Sequence, residues 1–278
     1  MAAAAAATKF GVRRLAAAFA IYFTRLIRDH KPMSITKQEQ LEKLRACGRI
    51  VAKALRAMAA AVRPGVTTAE LAFVGSHVLA EHGARSSPPI VYGFPGDVCI
   101  SVNDEVVHGI PGDRILQPGD LVKLDLTAEK EGYHTDSAVT VQVAPSASLA
   151  SHLTRCAERA FRQSLSAARP GNPVREIGRA VEREVRRRGF YIIRELGGHG
   201  IGQTIHEEPS VPNFPDAFNR ALLTEGLVLT IEPIIAAGTN RVTLDPDKWT
   251  IRTADHSLAA HYEHTLVITK RAPLLITI

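Results

Sequence analysis

An α+β fold made of two related halves is predicted for most of the 278 residues, and three observations carry that prediction. Arg63-Pro64-Gly65, leading into Thr68-Ala69-Glu70-Leu71, recurs as Arg169-Pro170-Gly171 leading into Val174-Arg175-Glu176-Ile177, a period of 106 residues. Gly119, six positions before Asp125, recurs as Gly226, six positions before Glu232, at a period of 107. In each half a pair of helix-like segments precedes strand-like runs. Two echoes at nearly one offset, within the same order of elements, are the mark of a duplicated unit.

The elements follow in order. Apolar periodicity predicts helices over 38–61 and 67–82 and strands over 98–107. A hairpin comes next: 121–127 and 133–143 carry apolar residues at alternate or adjacent places, and Glu129-Lys130-Glu131-Gly132 supplies the turn. With Lys130 and Glu131 at the tip, Asp125 faces Asp136 directly, their Cβ atoms about 5 Å apart. Pro145-Ser146-Ala147-Ser148 joins the halves and is too short for a flexible linker. The second half repeats the plan with helices over 148–167 and 174–188, the latter Arg-rich on its exposed face, then strands to the end.

Within this frame five side chains attract notice. Two carboxylates as close as Asp125 and Asp136 raise one another's pKa unless a cation lies between them. Two divalent ions roughly 3.5–4 Å apart would remove that repulsion. A solvated hairpin face would tolerate the same pair, so the pair alone does not decide. Glu232 stands in the apolar run 227–235, where a charge needs a compensating partner, and Glu263 precedes the similar run 265–269. His199 sits among Gly197, Gly198, Gly200 and Gly202, which would let its ring approach an ion or a substrate. Asp125, Asp136, His199, Glu232 and Glu263 together form a donor set for two adjacent metal ions and point to metal-dependent hydrolysis. His108 and His206 are candidates for hydrogen-bonding or acid–base work, although a single histidine is more often ordinary surface or core. His30, His77, His82, His134, His152, His256, His261 and His264 keep that ordinary reading, with His134, His261 and His264 close enough in sequence to the donors to support them.

The motifs around these residues carry a resemblance. Val107-His108-Gly109-Ile110-Pro111, Gly198-His199-Gly200-Ile201-Gly202, His206-Glu207-Glu208-Pro209, Thr230-Ile231-Glu232-Pro233 and Tyr262-Glu263-His264-Thr265 occur in order from about Ser34 to the end. The chain resembles the type I methionine aminopeptidases of the bacterial kind, which have no large insertion between the positions of His206 and Glu232. The resemblance implies the pita-bread fold, two related halves enclosing a curved antiparallel sheet. It also implies removal of the initiator methionine from nascent polypeptides whose second residue is small.

Residue by residue, the resemblance implies two divalent ions, with Asp125 bidentate on one, Asp136 and Glu263 shared, and His199 with Glu232 on the other. Carboxylates with one imidazole suit Co, Mn, Fe or Zn. Glu232 would also carry the proton from the attacking water to the leaving amine, His206 would stabilise the developing oxyanion, and His108 would contact substrate near the departing nitrogen. For the methionine pocket the resemblance nominates Phe94, Cys99 and Trp249, with Tyr92 nearby; Trp249 reads equally well as core. Two positions depart from the pattern. Ile205 stands where relatives usually carry an aromatic residue, and His261 where they usually carry glutamine. A prolidase shares the donor set but usually brings a large extra N-terminal domain, for which 1–32 leave no room; a pita-bread binding module without activity would be expected to have lost donors.

Composition agrees with one domain over 33–278 and a short tail. The chain is 45% hydrophobic and 22% charged, ample for a core. Three widely spaced cysteines, Cys47, Cys99 and Cys156, suggest no disulfide framework and point to the cytoplasm. The net charge of +6 resides mostly in 1–32, where Lys9, Arg13, Arg14, Arg25, Arg28 and Lys31 oppose only Asp29, so the body is not a polyanion binder and no specific nucleic acid is expected. Leu15 to Phe23 is too short to span a bilayer, which takes ~20 residues. Residues 1–32 read as a basic helical or disordered extension, resembling an organellar transit peptide or an amphipathic helix for transient ribosome or membrane contact, or as sequence upstream of a start at Met33. The domain itself is expected to be a monomer.

Overall fold

The computed structural model describes residues 32–278, so the readings of the basic extension lie outside the described residues apart from Pro32. In the first half α1 (Gln38–Ala61) and α2 (Thr68–Glu81) lead to β1 (Arg85–Ser86), a short α3 (Pro88–Tyr92), β2 (Cys99–Val102), β3 (Glu105–Val107), β4 (Leu121–Lys130) and β5 (Tyr133–Gln142). The second half repeats the helix pair as α4 (Ser148–Ser164) and α5 (Arg175–Arg187). Its strands are β6 (Tyr191–Ile192), β7 (Gly197–Gly200), β8 (Glu207–Pro212), β9 (Val228–Ile231), β10 (Ile234–Ala236), β11 (Val242–Leu244), β12 (Ile251–Thr253), β13 (Ala259–His261), β14 (Glu263–Val267) and β15 (Leu274–Leu275). The helix predicted over 38–61 has those bounds, and α2 starts where Thr67 and Glu70 cap each other: the Glu70 amide donates to Thr67 Oγ1 at 3.1 Å and the Thr67 amide to the Glu70 carboxylate at 2.7 Å. The strand expected over 98–107 is instead two, because the chain turns at Asn103, whose φ of 57° a short amide side chain tolerates. Among the described residues no helix is long and apolar enough to cross a membrane.

The principal sheet is antiparallel and runs β1-β4-β5-β14-β9-β7-β8, with β2 added on β4 and β15 on β14. Side-chain alternation divides its labour. Leu124 and Leu126 of β4 pack with Cys47, Val51 and Met58 of α1 and Leu71 of α2. Leu229 and Ile231 of β9 with Leu266 of β14 pack against Phe161 of α4 and Ile177 of α5. Each such apolar side chain contributes roughly 1.5–3 kcal/mol on burial. The intervening positions, Asp125, Asp136, Thr230, Glu232, Glu263 and Thr265, fall on the face away from the helices, because successive residues of a strand point to opposite sides.

The duplicated motifs perform duplicated jobs. Gly65 and Gly171 have φ of 89° and 87°, and their amides donate to Leu116 and Leu223 at 2.9 and 2.8 Å. Gly119 and Gly226 have φ of 91° and 85°, and theirs donate to Val143 and Ile268 at 2.9 and 2.8 Å. The halves meet where β5 pairs with β14 through Ala138↔Glu263 and Ser137↔His264. Hydroxyls stitch that seam: Thr265 Oγ1 accepts from the Asp136 amide at 2.9 Å and donates to the Asp136 carbonyl at 2.8 Å, and Thr140 Oγ1 does the same for His261 at 2.9 and 2.7 Å.

One expectation is corrected. Asp125 pairs with Ala138 and Asp136 with Thr127, so the two aspartates are diagonal neighbours, roughly 7–8 Å apart between Cα atoms, and not directly opposite. The tip of the hairpin is Glu131-Gly132, both with positive φ (52° and 79°), the requirement of a two-residue turn that follows strand twist. Moving the tip by one residue shifts partners by two and leaves both aspartates on the same face.

Candidate metal centre

The five donors come from five consecutive strands of the sheet. Asp125 lies on β4, Asp136 on β5, Glu263 at the head of β14, Glu232 just beyond β9 and His199 on β7, the order in which those strands lie side by side. His264 pairs with Ile231, so one step along the same register brings Glu263 opposite Glu232. Donor atoms of Asp136, His199 and Glu263 lie within 4.8 Å of one another, and so do those of Glu232, His261 and Glu263.

The glycines around His199 serve backbone approach and not the imidazole. A Cβ at Gly198 would meet the Thr230 carbonyl oxygen at 2.4 Å, and one at Gly200 the Glu208 carbonyl oxygen at 2.1 Å, so β7 can lie this close to its neighbours only without side chains there. The ring of His199 is then fixed from behind: its amide donates to Thr230 Oγ1 at 3.1 Å and Nδ1 lies 2.9 Å from the Gly200 carbonyl, leaving Nε2 toward Glu232 Oε1 at 3.7 Å. Thr127 Oγ1 donates to Asp136 Oδ2 at 2.7 Å, and Thr230 Oγ1 donates to Glu232 Oε1 at 3.3 Å. These two hydroxyls were not singled out from sequence, although each stands two residues, one strand repeat, from a donor or opposite one.

The electrostatics are those of a site that needs cations. Burial, then repulsion from Asp136 and Glu232, pushes Asp125 well above the ordinary carboxylate range. Burial and the other acids do the same to Glu263, and burial raises Asp136. Glu232 goes the other way: burial would raise it, but the imidazoles of His261 and His199 outweigh that and lower it. Asp136 Oδ1 and Glu263 Oε1 are buried with no hydrogen-bond partner among the described residues. Uncompensated buried carboxylate oxygens are costly. Oxygen donors supplemented by imidazole fit divalent transition ions, which would reverse the repulsion.

Above these donors opens a cavity of about 380 Å³ whose lining includes Tyr92, Phe94, Cys99, Ile205, His206 and Trp249. Phe94 and Trp249 meet edge to face with centroids 5.3 Å apart, so Trp249 contributes wall and not merely core. Cys99 pairs with Asp125 across β2 and β4, and burial followed by that neighbouring charge pushes its thiol far up, so it lines the cavity as a neutral group. The His206 ring centroid lies 4.0 Å from that of His199 at a tilt of 46°, and its Nδ1 is hydrogen-bonded to the Tyr92 hydroxyl; burial, then the nearby histidines, holds it well below its ordinary pKa. His108, with φ of 58°, lines the same cavity, and burial lowers it to about 4. Of the three supporting histidines only His261 borders the acids. His134 lies 2.9 Å from Ser87 Oγ, and His264 bonds Thr277 and Tyr262 on the helix-facing side.

A family model described as metallopeptidase family M24 matches residues 42–270. The chain belongs to that family. Among M24 relatives, methionine aminopeptidase 2 of Bacillus subtilis is 43% identical over 247 residues, covering 88% of this chain and 99% of the relative. The methionine aminopeptidase of Escherichia coli K12 is 37% identical over 248 residues, covering 88% and 94%. The crystal structure of methionine aminopeptidase from Rickettsia prowazekii superposes with a TM-score of 0.84 at 32% identity, over 88% of this chain and all of that one. A prolidase from Pyrococcus furiosus shares the fold alone, with a TM-score of 0.72 at 23% identity over 88% of this chain and 65% of that one. This M24 chain therefore groups with the methionine aminopeptidases, has the pita-bread fold, and is a metal-dependent exopeptidase.

Proposed function

We propose that the enzyme removes the N-terminal methionine from polypeptides whose second residue is small, with two divalent cations held by Asp125, Asp136, His199, Glu232 and Glu263. The observation that carries the reading is the convergence of five donors from five adjacent strands on the floor of one cavity, two of them with buried oxygens that have no hydrogen-bond partner among the described residues. Bound there, the ions supply positive charge that polarises a carbonyl and lowers the pKa of water toward neutrality. Co, Mn, Fe and Zn all suit this donor set.

The chain's own residues do the rest. Glu232, the carboxylate held low by its imidazole neighbours, takes a proton from the attacking water and delivers it to the leaving amine. Neutral His206, held through Nδ1 by the Tyr92 hydroxyl, offers an Nε2–H hydrogen bond to the scissile carbonyl oxygen as charge develops there and keeps its proton. His108 contacts substrate on the departing side. Phe94, Ile205 and Trp249 give the apolar walls that an unbranched thioether fills, and Cys99 adds a neutral sulfur. Free N-termini of nascent chains are the substrates, a reading that suits a monomer in the cytoplasm.

Purified enzyme supplied with Co(II) or Mn(II) is expected to release methionine from Met-Ala-Ser, to act poorly on Met-Leu-Ser, and to leave a Xaa-Pro dipeptide intact. Folded, metal-loaded protein that turned over none of these, or only the Xaa-Pro dipeptide, would overturn the assignment.

A further inference from the structure

We propose that His261 is an additional metal ligand, donating Nε2 to the cation shared by Glu232 and Glu263. The inference rests on the metal-centre reading above and adds a second imidazole to it.

His261 ends β13 two residues before Glu263 begins β14, so the ring and the carboxylate leave the chain two positions apart on one side. Its backbone is clamped on both faces. Thr140 Oγ1 holds its N–H and C=O at 2.9 and 2.7 Å across the seam, and β10 pairs with it through Ile234. The side chain is 2% exposed, and neither ring nitrogen has a hydrogen-bond partner among the described residues. An imidazole this deep with both nitrogens unsatisfied is costly unless something else engages it.

The distances identify what engages it. Nε2 lies 3.5 Å from Glu232 Oε2 and 3.6 Å from Glu263 Oε2. A good N–H···O bond is about 2.7–3.2 Å long. Two donors bound to one ion at about 2.0–2.2 Å each stand roughly 3–3.6 Å apart across ordinary coordination angles. The His261 spacings fall in that second range, and so, nearly, does His199 Nε2 at 3.7 Å from the other oxygen of Glu232. Glu232 thus has one imidazole beside each carboxylate oxygen. A neutral nitrogen donor adds no charge to a site already rich in acids and favours borderline ions such as Zn and Co over Mg and Ca.

X-ray absorption at the metal edge of the Co- or Zn-loaded enzyme counts imidazoles through their multiple scattering. Two per binuclear centre are expected in the unaltered protein and one after His261→Gln, with metal affinity weaker by at least the roughly 10–100-fold that loss of a group supporting the ligands costs. The count in the unaltered protein does not depend on how the variant folds. Two bound ions with a single imidazole, or a variant with unchanged spectrum and affinity, overturn the role of His261 and leave the centre standing. A folded protein that binds no ion overturns both.

Discussion

Two clusters of charged side chains sit side by side in this molecule, and they are built on opposite principles. Around Arg252 on β12 every charge has a partner: Nε reaches Asp245 at 2.6 Å, and the other two nitrogens reach Asp104 and Glu105 at 3.0 and 2.8 Å. Arg114 adds a second cation on Glu105 at 2.8 Å, the Val102 amide donates to the other Glu105 oxygen at 2.6 Å, and His256 lies 2.8 Å from Asp104. Even Lys123, 1% exposed and pushed down to about 7 by burial, donates to the Asn103 carbonyl at 2.7 Å. Around Glu263 the acids crowd together while Arg194 of the cavity wall is engaged by Glu182 at 3.1 Å, and two carboxylate oxygens have no hydrogen-bond partner among the described residues. Closed charge networks hold a fold together; open ones of a single sign are kept for something that binds.

The sharpest way to break that contrast is to neutralise one acid in each cluster. Glu232→Gln is expected to lower kcat/KM for Met-Ala-Ser by about 10³ or more, since it removes a proton carrier as well as a donor, whereas Asp245→Asn should leave turnover near the parent value. Equal losses in the two variants, each still folded by circular dichroism, would erase the distinction. Next in size, Arg252→Met takes the cation from Asp245 and one partner each from Asp104 and Glu105, and should cost about 3 kcal/mol in urea unfolding, with the metal content of the surviving folded protein unchanged. Loss of metal in that variant would mean that the clusters are not independent.

The smallest effect is a pH dependence. Asp125, Asp136 and Glu263 have folded pKa values raised above the unfolded carboxylate value of about 4. Their protonation therefore stabilises the metal-free fold fully below that pH, and the contribution is lost as pH rises through the raised values. The gain in unfolding free energy on adding Co(II) or Mn(II) should accordingly increase as pH rises above that value. Taking the difference between loaded and metal-free protein cancels Lys123 and His264, which titrate alike in both. A gain that is flat with pH would show that these acids do not share their charge with the ions.

Much of this was legible in the chain. The helices were, because 3.6-residue periodicity is local, and the duplication was, because Gly65, Gly119, Gly171 and Gly226 occupy a backbone conformation that few other residues accept. The hairpin register was not: it turns on the positive φ of Glu131, which composition does not announce. Nor were the short strands β6, β10 and β13, whose partners lie far away in sequence. Glu232 and Glu263 stood out as charges in or beside apolar runs, Asp125 and Asp136 as acids on one face of a hairpin, and His199 by the glycines around it. Thr127, Thr230 and the full position of His261 did not, since a hydroxyl or a ring gains meaning only once the strands are laid in order.

The seam between the halves has a mechanical consequence. Between β5 and β14 much of the pairing passes through the hydroxyls of Thr140 and Thr265 and not through a direct amide ladder. Ions gripped by Asp125 and Asp136 on one side and by Glu232 and Glu263 on the other would tie the halves together across that line. They would act as a cross-link closing a loop from residue 125 to residue 263, and loop-closure entropy grows only slowly with such a length. The first thing to loosen on chelation would then be the join between two intact half-domains, and the last would be either half itself.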